Sequence, residues 1–282
     1  MSGLNDERIA MSSWNFLDPA SKDTLLALVQ REAEGMFALV GTDEAWRTPT
    51  GAGHWQARDV VGHLVDTTET YFVGFDAARG NGEPPPLVPL ADMAVHVDAG
   101  AQALRRVPQA ELVARCRKDF DRMMATFMEL TDAEWSGLMV PHKYMGPLPA
   151  SFYAIFQLVD YAVHSWDIRQ GTGRSHALAG DSADMLVPLC FILWGATPKV
   201  APGTEPYQIG IRITTGANAG DNVASVSSEG VAIAAGPVDG LAAVVEFDPA
   251  SFVLTAYGRT NAGTVRGDAT LAHGFLTGFF RI

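Results

Sequence analysis

The period of the hydrophobic pattern changes near residue 200, and this change limits the folds that the chain can adopt. Before that point apolar residues recur every three or four positions, as in amphipathic helices, over residues 21–40, 56–78, 108–131, 149–173 and 182–195. After the proline- and glycine-rich residues 197–206, short alternating runs are typical of strands. The sequence therefore predicts an α+β fold, with a four-helix bundle over residues 1–200 and a small α+β domain over residues 201–282.

Turn residues divide the second region into short elements. We expect strands at residues 207–214, 222–228, 231–236, 242–247 and 263–267, and helices at residues 249–259 and 268–280. In the first region, Pro188 is expected to kink the last helix, and the proline-rich residues 80–93 are expected to form a loop.

Composition and charge exclude several classes of partner. Hydrophobic residues make up 48% of the 282 positions, which is enough for a sizeable core, and the net charge of −12 disfavours nucleic acid and anionic membranes. Every apolar stretch is too short to span a bilayer, and residues 1–13 do not resemble a secretory signal. Cys116 and Cys190 lie in no metal or redox spacing and are expected to be buried. We expect a cytoplasmic protein that acts on small molecules.

The segment LVDYAVHSWDIRQG, from Leu158 to Gly171, carries polar residues within an apolar helical pattern. Asp160 and His164 are four residues apart and so lie on one helical face. This arrangement is typical either of a local hydrogen bond on a solvated face or of a metal site. His63 lies among apolar residues of an earlier helix, and an antiparallel bundle can bring it to the same place. Two imidazoles and one carboxylate would form a metal site with open positions, as catalytic sites have.

Three segments resemble the DinB-like mycothiol-dependent maleylpyruvate isomerase family. TPTGAGHWQARDVVGHLVD is similar to the start of that family's second helix, and the matching positions are Trp55, Asp59, Val60, Val61, His63 and Leu64. DYAVHSWDIRQGTG resembles the second motif, with Asp160 where the family usually has a glutamate. TAYGRTNAGTVRGDATLAHGFL resembles the C-terminal sterol-carrier-like domain. The resemblance covers nearly the whole chain.

The resemblance implies a ligand set and a cosubstrate. A divalent metal, usually zinc in the family, would be held by His63, Asp160 and His164, and a low-molecular-weight thiol, mycothiol, would bind it as the thiolate. Asp167 would orient His164, or else it is a helix-terminal carboxylate near Arg169. Arg259 matches an arginine that faces the site in the isomerases and would bind a substrate carboxylate, or else it is a surface residue.

The resemblance leaves three functions open. We expect metal-dependent S-transfer or thiol exchange on a small electrophilic or thioether substrate, because the chain is longer than a minimal isomerase needs and has an expanded loop around GNGEPPPLVPLADM. The alternatives are a mycothiol-dependent cis–trans isomerase of the maleylpyruvate type and a non-catalytic ligand-binding module that has lost its metal. Trp55 is expected to pack at the start of its helix. His142 lies before the second motif on a predicted loop, where a histidine is usually solvated or lines the entrance.

Overall fold

A computed structural model of the chain describes residues 14–173 and 176–280. The contacts divide these residues into two compact units. The first unit spans Phe16–Leu178, and the second runs from Ala179 onwards and includes Trp14 and Asn15. The first is mainly helical and the second combines a sheet with helices, so the predicted α+β class is confirmed. The N-terminal segment on which the absence of a signal sequence was argued lies outside the described residues.

The first unit contains seven helices and one short hairpin within its described residues. In chain order the elements are α1 (Lys22–Leu39), α2 (Asp43–Trp46), α3 (Ala57–Ala78), α4 (Met93–Ala103), α5 (Gln109–Glu129), α6 (Asp132–Gly137), β1 (Met139–His142), β2 (Gly146–Pro149) and α7 (Ser151–Gly171). The four long helices α1, α3, α5 and α7 form the predicted bundle, in which α1 packs along α7 and α3 packs on both α5 and α7. Their inward faces are apolar, and burial of these faces stabilises the bundle.

Two glycines of α3 allow neighbouring elements to approach its backbone closely. A Cβ atom placed at Gly62 would lie 2.9 Å from the carbonyl oxygen of Ala101 in α4. A Cβ atom placed at Gly74 would lie 2.5 Å from the carbonyl oxygen of Pro141 in β1. Both distances are shorter than a methyl group tolerates, so glycine is required to hold α4 and the β1–β2 hairpin against α3.

The described residues of the second unit form a five-stranded mixed sheet with three helices. Its elements are α8 (Gly180–Ala196), β3 (Tyr207–Ile213), β4 (Gly220–Ser227), β5 (Gly230–Ala235), β6 (Ala243–Phe247), α9 (Pro249–Ala256), β7 (Thr264–Gly267) and α10 (Ala269–Leu276). The strand order is β5-β4-β3-β6-β7, with β3 and β6 parallel and the other pairs antiparallel. Trp194 of α8 packs edge-to-face on Phe252 and Phe275, whose centroids lie 5.0 and 5.4 Å away. These aromatic contacts join the three helices in one core.

The predicted long helices and the five predicted strands of the second region are present in the described chain. The compact units divide after Leu178, earlier than the domain limit predicted at residue 200, because α8 packs on α9 and β5. The limits of independently folding domains stay a prediction. Helix α8 continues through Pro188. In the described part of the chain, no helix combines the length and the apolar character needed to cross a membrane.

Several elements of the first unit were not predicted, among them α4 and the β1–β2 hairpin, which pack on α3. Helix α4 has a single buried residue, Ala101, so its sequence shows no apolar stripe. The strands β1 and β2 have four residues each and contain three prolines between them, which argues against strand on sequence grounds. Both elements depend on contacts with α3 that the local sequence does not reveal.

Candidate metal centre

Helices α3 and α7 bring together the three residues predicted to bind a metal. His63 of α3 is 6% exposed, and Asp160 and His164 occupy successive turns of α7. One potential ligand atom from each of the three lies within 4.8 Å of those of the other two. The centroids of the two imidazole rings are 5.0 Å apart. The antiparallel juxtaposition predicted for the bundle is therefore present.

The chemistry of this cluster fits a divalent metal ion. His63 Nε2 and Asp160 Oδ1 are 3.5 Å apart, which is longer than the usual hydrogen bond of about 2.7–3.2 Å. Two ligands on one tetrahedral zinc ion, with bonds of about 2.0–2.1 Å, lie roughly 3.3 Å apart. Asp160 Oδ2 is buried and has no hydrogen-bond partner among the described residues. A buried carboxylate oxygen without a partner is costly, and a bound cation would remove that cost.

Two further side chains set the orientation of the imidazoles. Asp167, which is fully buried, accepts a hydrogen bond of 2.9 Å from His164 Nδ1. His164 therefore presents Nε2 towards the cluster. Thr67 Oγ1 lies 3.1 Å from His63 Nδ1, one turn further along α3. The sequence identified Asp167 as a candidate but missed Thr67, whose position four residues after His63 was the available signal.

Trp55 covers the two imidazoles, and Asp98 holds it in place. The indole centroid lies 5.3 Å from the ring of His63 and 5.8 Å from that of His164. Trp55 Nε1 donates a hydrogen bond of 2.7 Å to Asp98 Oδ1, and His54 Nε2 lies 2.9 Å from the same oxygen. The bond from Trp55 is the main cause that lowers the pKa of Asp98, against the opposing effect of burial. Trp55 thus packs on the two candidate ligand histidines as well as at the start of α3.

His142 is buried, and the expectation of a solvated loop histidine is wrong. It ends β1, is 6% exposed and packs among aromatic rings. The centroids of Phe156 and Tyr153 lie 5.5 and 5.9 Å from its own. Burial lowers the pKa of His142 to about 4, although the negative charge of Asp160 acts in the opposite direction. The sequence missed this environment because it depends on the unpredicted hairpin.

The remaining predicted residues lie away from this cluster in sequence. Arg259 follows α9 in the second compact unit, where its Nη1 donates a hydrogen bond of 2.9 Å to the carbonyl oxygen of Tyr257. The structure thus gathers His63, Asp160, His164 and Asp167 in the first unit. Cys116 and Cys190 are buried as predicted, and burial raises the pKa of the Cys116 thiol to about 12. A thiol of this kind is a poor nucleophile.

The sequence matches the family model described as the mycothiol maleylpyruvate isomerase N-terminal domain over residues 23–169. This range includes the three candidate ligands and Asp167. No curated protein sequence gives a significant match.

Two solved structures share the fold along nearly the whole chain. One is a mycothiol-dependent maleylpyruvate isomerase, with a TM-score of 0.57 and 13% sequence identity. The other is a histidine-to-alanine mutant of a protein with the same description, with a TM-score of 0.58 and 11% identity. In both comparisons 93% of this chain and 97% of the other are covered. At such identities the likeness establishes the fold.

Proposed function

Because this chain belongs to the family of the mycothiol maleylpyruvate isomerase N-terminal domain, we propose that it is a metal-dependent enzyme that uses mycothiol to isomerise a cis double bond. The observation that carries the proposal is the buried cluster of His63, Asp160 and His164, in which one carboxylate oxygen has no partner among the described residues. Three protein ligands leave a coordination position for an exogenous molecule, as catalytic zinc sites do.

A bound zinc ion would lower the pKa of a coordinated thiol, so that it stays deprotonated at neutral pH. The residues of the chain hold and orient this site. His63, Asp160 and His164 supply the ligands, and Asp167 fixes the tautomer of His164 through its 2.9 Å hydrogen bond. Trp55 shields the two imidazoles on one side. Both cysteines of the chain are buried, which supports an external thiol as the nucleophile.

The proposed reaction leaves the thiol unchanged. The thiolate sulfur adds to one carbon of a double bond conjugated to a carbonyl group, and the π electrons move onto the carbonyl oxygen. The former double bond is then single and rotates. Return of the electron pair expels the thiolate and forms the double bond again in the trans geometry. Arg259 is proposed to bind a carboxylate of the substrate through two parallel hydrogen bonds, which guanidinium groups form well.

Isomerisation is preferred to the S-transfer reaction that the sequence analysis favoured. The argument for S-transfer was that the expanded loop makes room for a bulkier substrate. The segment leads into α4, which packs closely on α3 at Gly62 and carries Asp98, the partner of Trp55. The role of α4 in supporting the candidate metal centre explains the length of this segment without a bulkier substrate. In addition, both fold neighbours are described as isomerases. A non-catalytic module is disfavoured, since the short side chain of Asp160 still reaches the two histidines.

Turnover of maleylpyruvate with limiting mycothiol tests this proposal. Zinc-loaded protein should convert many equivalents of substrate per equivalent of mycothiol, and all of the free thiol should be recovered. Glutathione at the same concentration is the control thiol. Consumption of one mycothiol per product would favour S-transfer, and a rate independent of added thiol would contradict both reactions.

A further inference from the structure

His142 lies beside the two helix faces that carry the candidate metal ligands. Its ring packs on Phe156 of α7, with centroids 5.5 Å apart, and on Tyr71 of α3, with centroids 6.0 Å apart. Phe156 precedes Asp160 by four residues and therefore lies one turn away on the same helical face. The close approach of β1 to Gly74 holds the hairpin in this position. His142 is thus packed against the turn of α7 that precedes Asp160, near enough for the charge of that carboxylate to act on its ring.

The backbone determines which nitrogen of His142 carries the proton. The N–H of Tyr144 donates a hydrogen bond of 3.3 Å to His142 Nδ1. Nδ1 must therefore present its lone pair, so the neutral ring carries its proton on Nε2. Nε2 makes no hydrogen bond to any residue that the structure describes. Because Nε2 is not one of the fully buried polar atoms of the described residues, a bound ligand can reach it and accept its hydrogen bond.

We propose that His142 donates a hydrogen bond from Nε2 to the carbonyl oxygen of the α,β-unsaturated carbonyl substrate while the thiolate adds. This inference rests on the proposed function. In such a substrate the carbon that the thiolate attacks is three bonds from the carbonyl oxygen. A sulfur bound at the ligand cluster and an oxygen bound at His142 would therefore belong to neighbouring parts of one small adduct.

The donor acts on the charge that forms during addition. The electron pair of the thiolate forms the new carbon–sulfur bond, and the π pair of the former double bond becomes a double bond between the α carbon and the carbonyl carbon. The carbonyl π pair then becomes a lone pair on the enolate oxygen. The Nε2–H bond to this oxygen strengthens as the charge forms, and the reverse movement expels the thiolate. The imidazole keeps its proton throughout. The rings of Tyr71, Tyr153 and Phe156 pack around the imidazole and give it apolar surroundings, which strengthen the bond.

Nitrogen-15 NMR of the full-length, zinc-loaded protein tests the donor directly. With labelled histidine, the His142 signals should show Nε2 protonated and Nδ1 bare at neutral pH, and they are assigned by their loss in His142→Phe. Maleate, a cis-unsaturated dicarboxylate that cannot complete the reaction without thiol, should shift the Nε2–H resonance. A proton on Nδ1, or no change in the His142 signals at high maleate concentration, would overturn the proposal.

Kinetics with mycothiol and maleylpyruvate provide a second readout. His142→Phe keeps an aromatic ring but removes the donor, so kcat should fall on the order of 100-fold, as when one oxyanion donor is removed. Zinc content should stay at the wild-type value. His142→Gln supplies an amide N–H and should recover part of kcat, and His96→Gln, which changes an exposed histidine, is the matched control. Equal kcat values for His142→Phe and wild type would refute the role of His142.

The two proposals can fail separately. If His164→Ala keeps full mycothiol-dependent turnover, the metal site is refuted whatever the tautomer of His142. If His164→Ala loses zinc and activity while His142→Phe stays fully active, the proposed function stands and the donor is refuted.

Discussion

Removal of the Asp167 carboxylate should weaken metal binding without removing a ligand. Asp167 is fully buried, and its Oδ2 accepts the 2.9 Å hydrogen bond that orients His164. A hydrogen bond to a charged group contributes about 1.5–3 kcal/mol, and loss of such a partner typically lowers metal affinity about 10–100-fold. At about 1.4 kcal/mol per factor of ten, the two ranges agree. Asp167→Ala should reach the upper end of the range. Asp167→Asn should lose only about tenfold, since its amide oxygen can still accept the bond.

Competition for zinc against a chromophoric chelator of known affinity measures this effect. Asp121→Asn, which removes an exposed carboxylate from α5, is the control for the change in net charge and should bind zinc like wild type. Thermal unfolding of the metal-free proteins separates weaker binding from a general loss of stability. Wild-type zinc affinity in both Asp167 variants would refute the orienting role of Asp167.

Three further predictions concern the ligands, the arginine and the buried histidine. His63→Ala and His164→Ala should each abolish zinc binding while circular dichroism stays unchanged, and Asp160→Glu should keep the zinc that Asp160→Ala loses. Full metal occupancy in any alanine variant, measured by elemental analysis, would contradict the site. Arg259→Lys should lower kcat/KM about 10–150-fold, on the order of 1.5–3 kcal/mol in activation free energy, at constant zinc content. The reason is that an ammonium cannot form two parallel hydrogen bonds. Unchanged efficiency would make Arg259 a surface residue. The pKa of His142, about 4 in the folded protein, lies below its unfolded value of 6.5, so the unfolded chain takes up the proton first. The contribution of neutral His142 to the free energy of unfolding should therefore be complete above pH 6.5. It should be lost as the pH falls towards 4, by up to about 3 kcal/mol. Urea unfolding of wild type and His142→Phe at several pH values measures this loss, and parallel pH profiles would contradict it.

The parts of the site that could be predicted depend on spacing within one helix. Asp160, His164 and Asp167 follow one another at intervals of four and three, so the helical repeat alone places them close together. His63 required one additional assumption, an antiparallel neighbour for α7. The structure has that arrangement, because positions 63, 68 and 71 of α3 meet positions 164, 157 and 153 of α7. The family match over residues 23–169 confirms the resemblance that these motifs suggested.

The parts that could not be predicted depend on contacts between distant segments. Asp98 reaches Trp55 from α4, a helix with one buried residue and therefore no clear apolar period. His142 lies at the end of a proline-containing strand that exists because Gly74 lets it approach α3. The packing partners of α8 could not be predicted for the same reason, since its periodicity does not indicate that its apolar face packs on α9 and β5.

We propose that the cluster of His63, Asp160 and His164 binds a metal that coordinates an external thiol. Cobalt(II) in place of zinc makes this coordination visible, because a thiolate bound to cobalt adds near-ultraviolet absorption that nitrogen and oxygen ligands do not. Addition of mycothiol to the cobalt protein should produce this absorption in wild type and in Asp121→Asn, with saturation at one thiol per metal. A cobalt-loaded wild-type protein whose spectrum stays unchanged when mycothiol is added would contradict the claim.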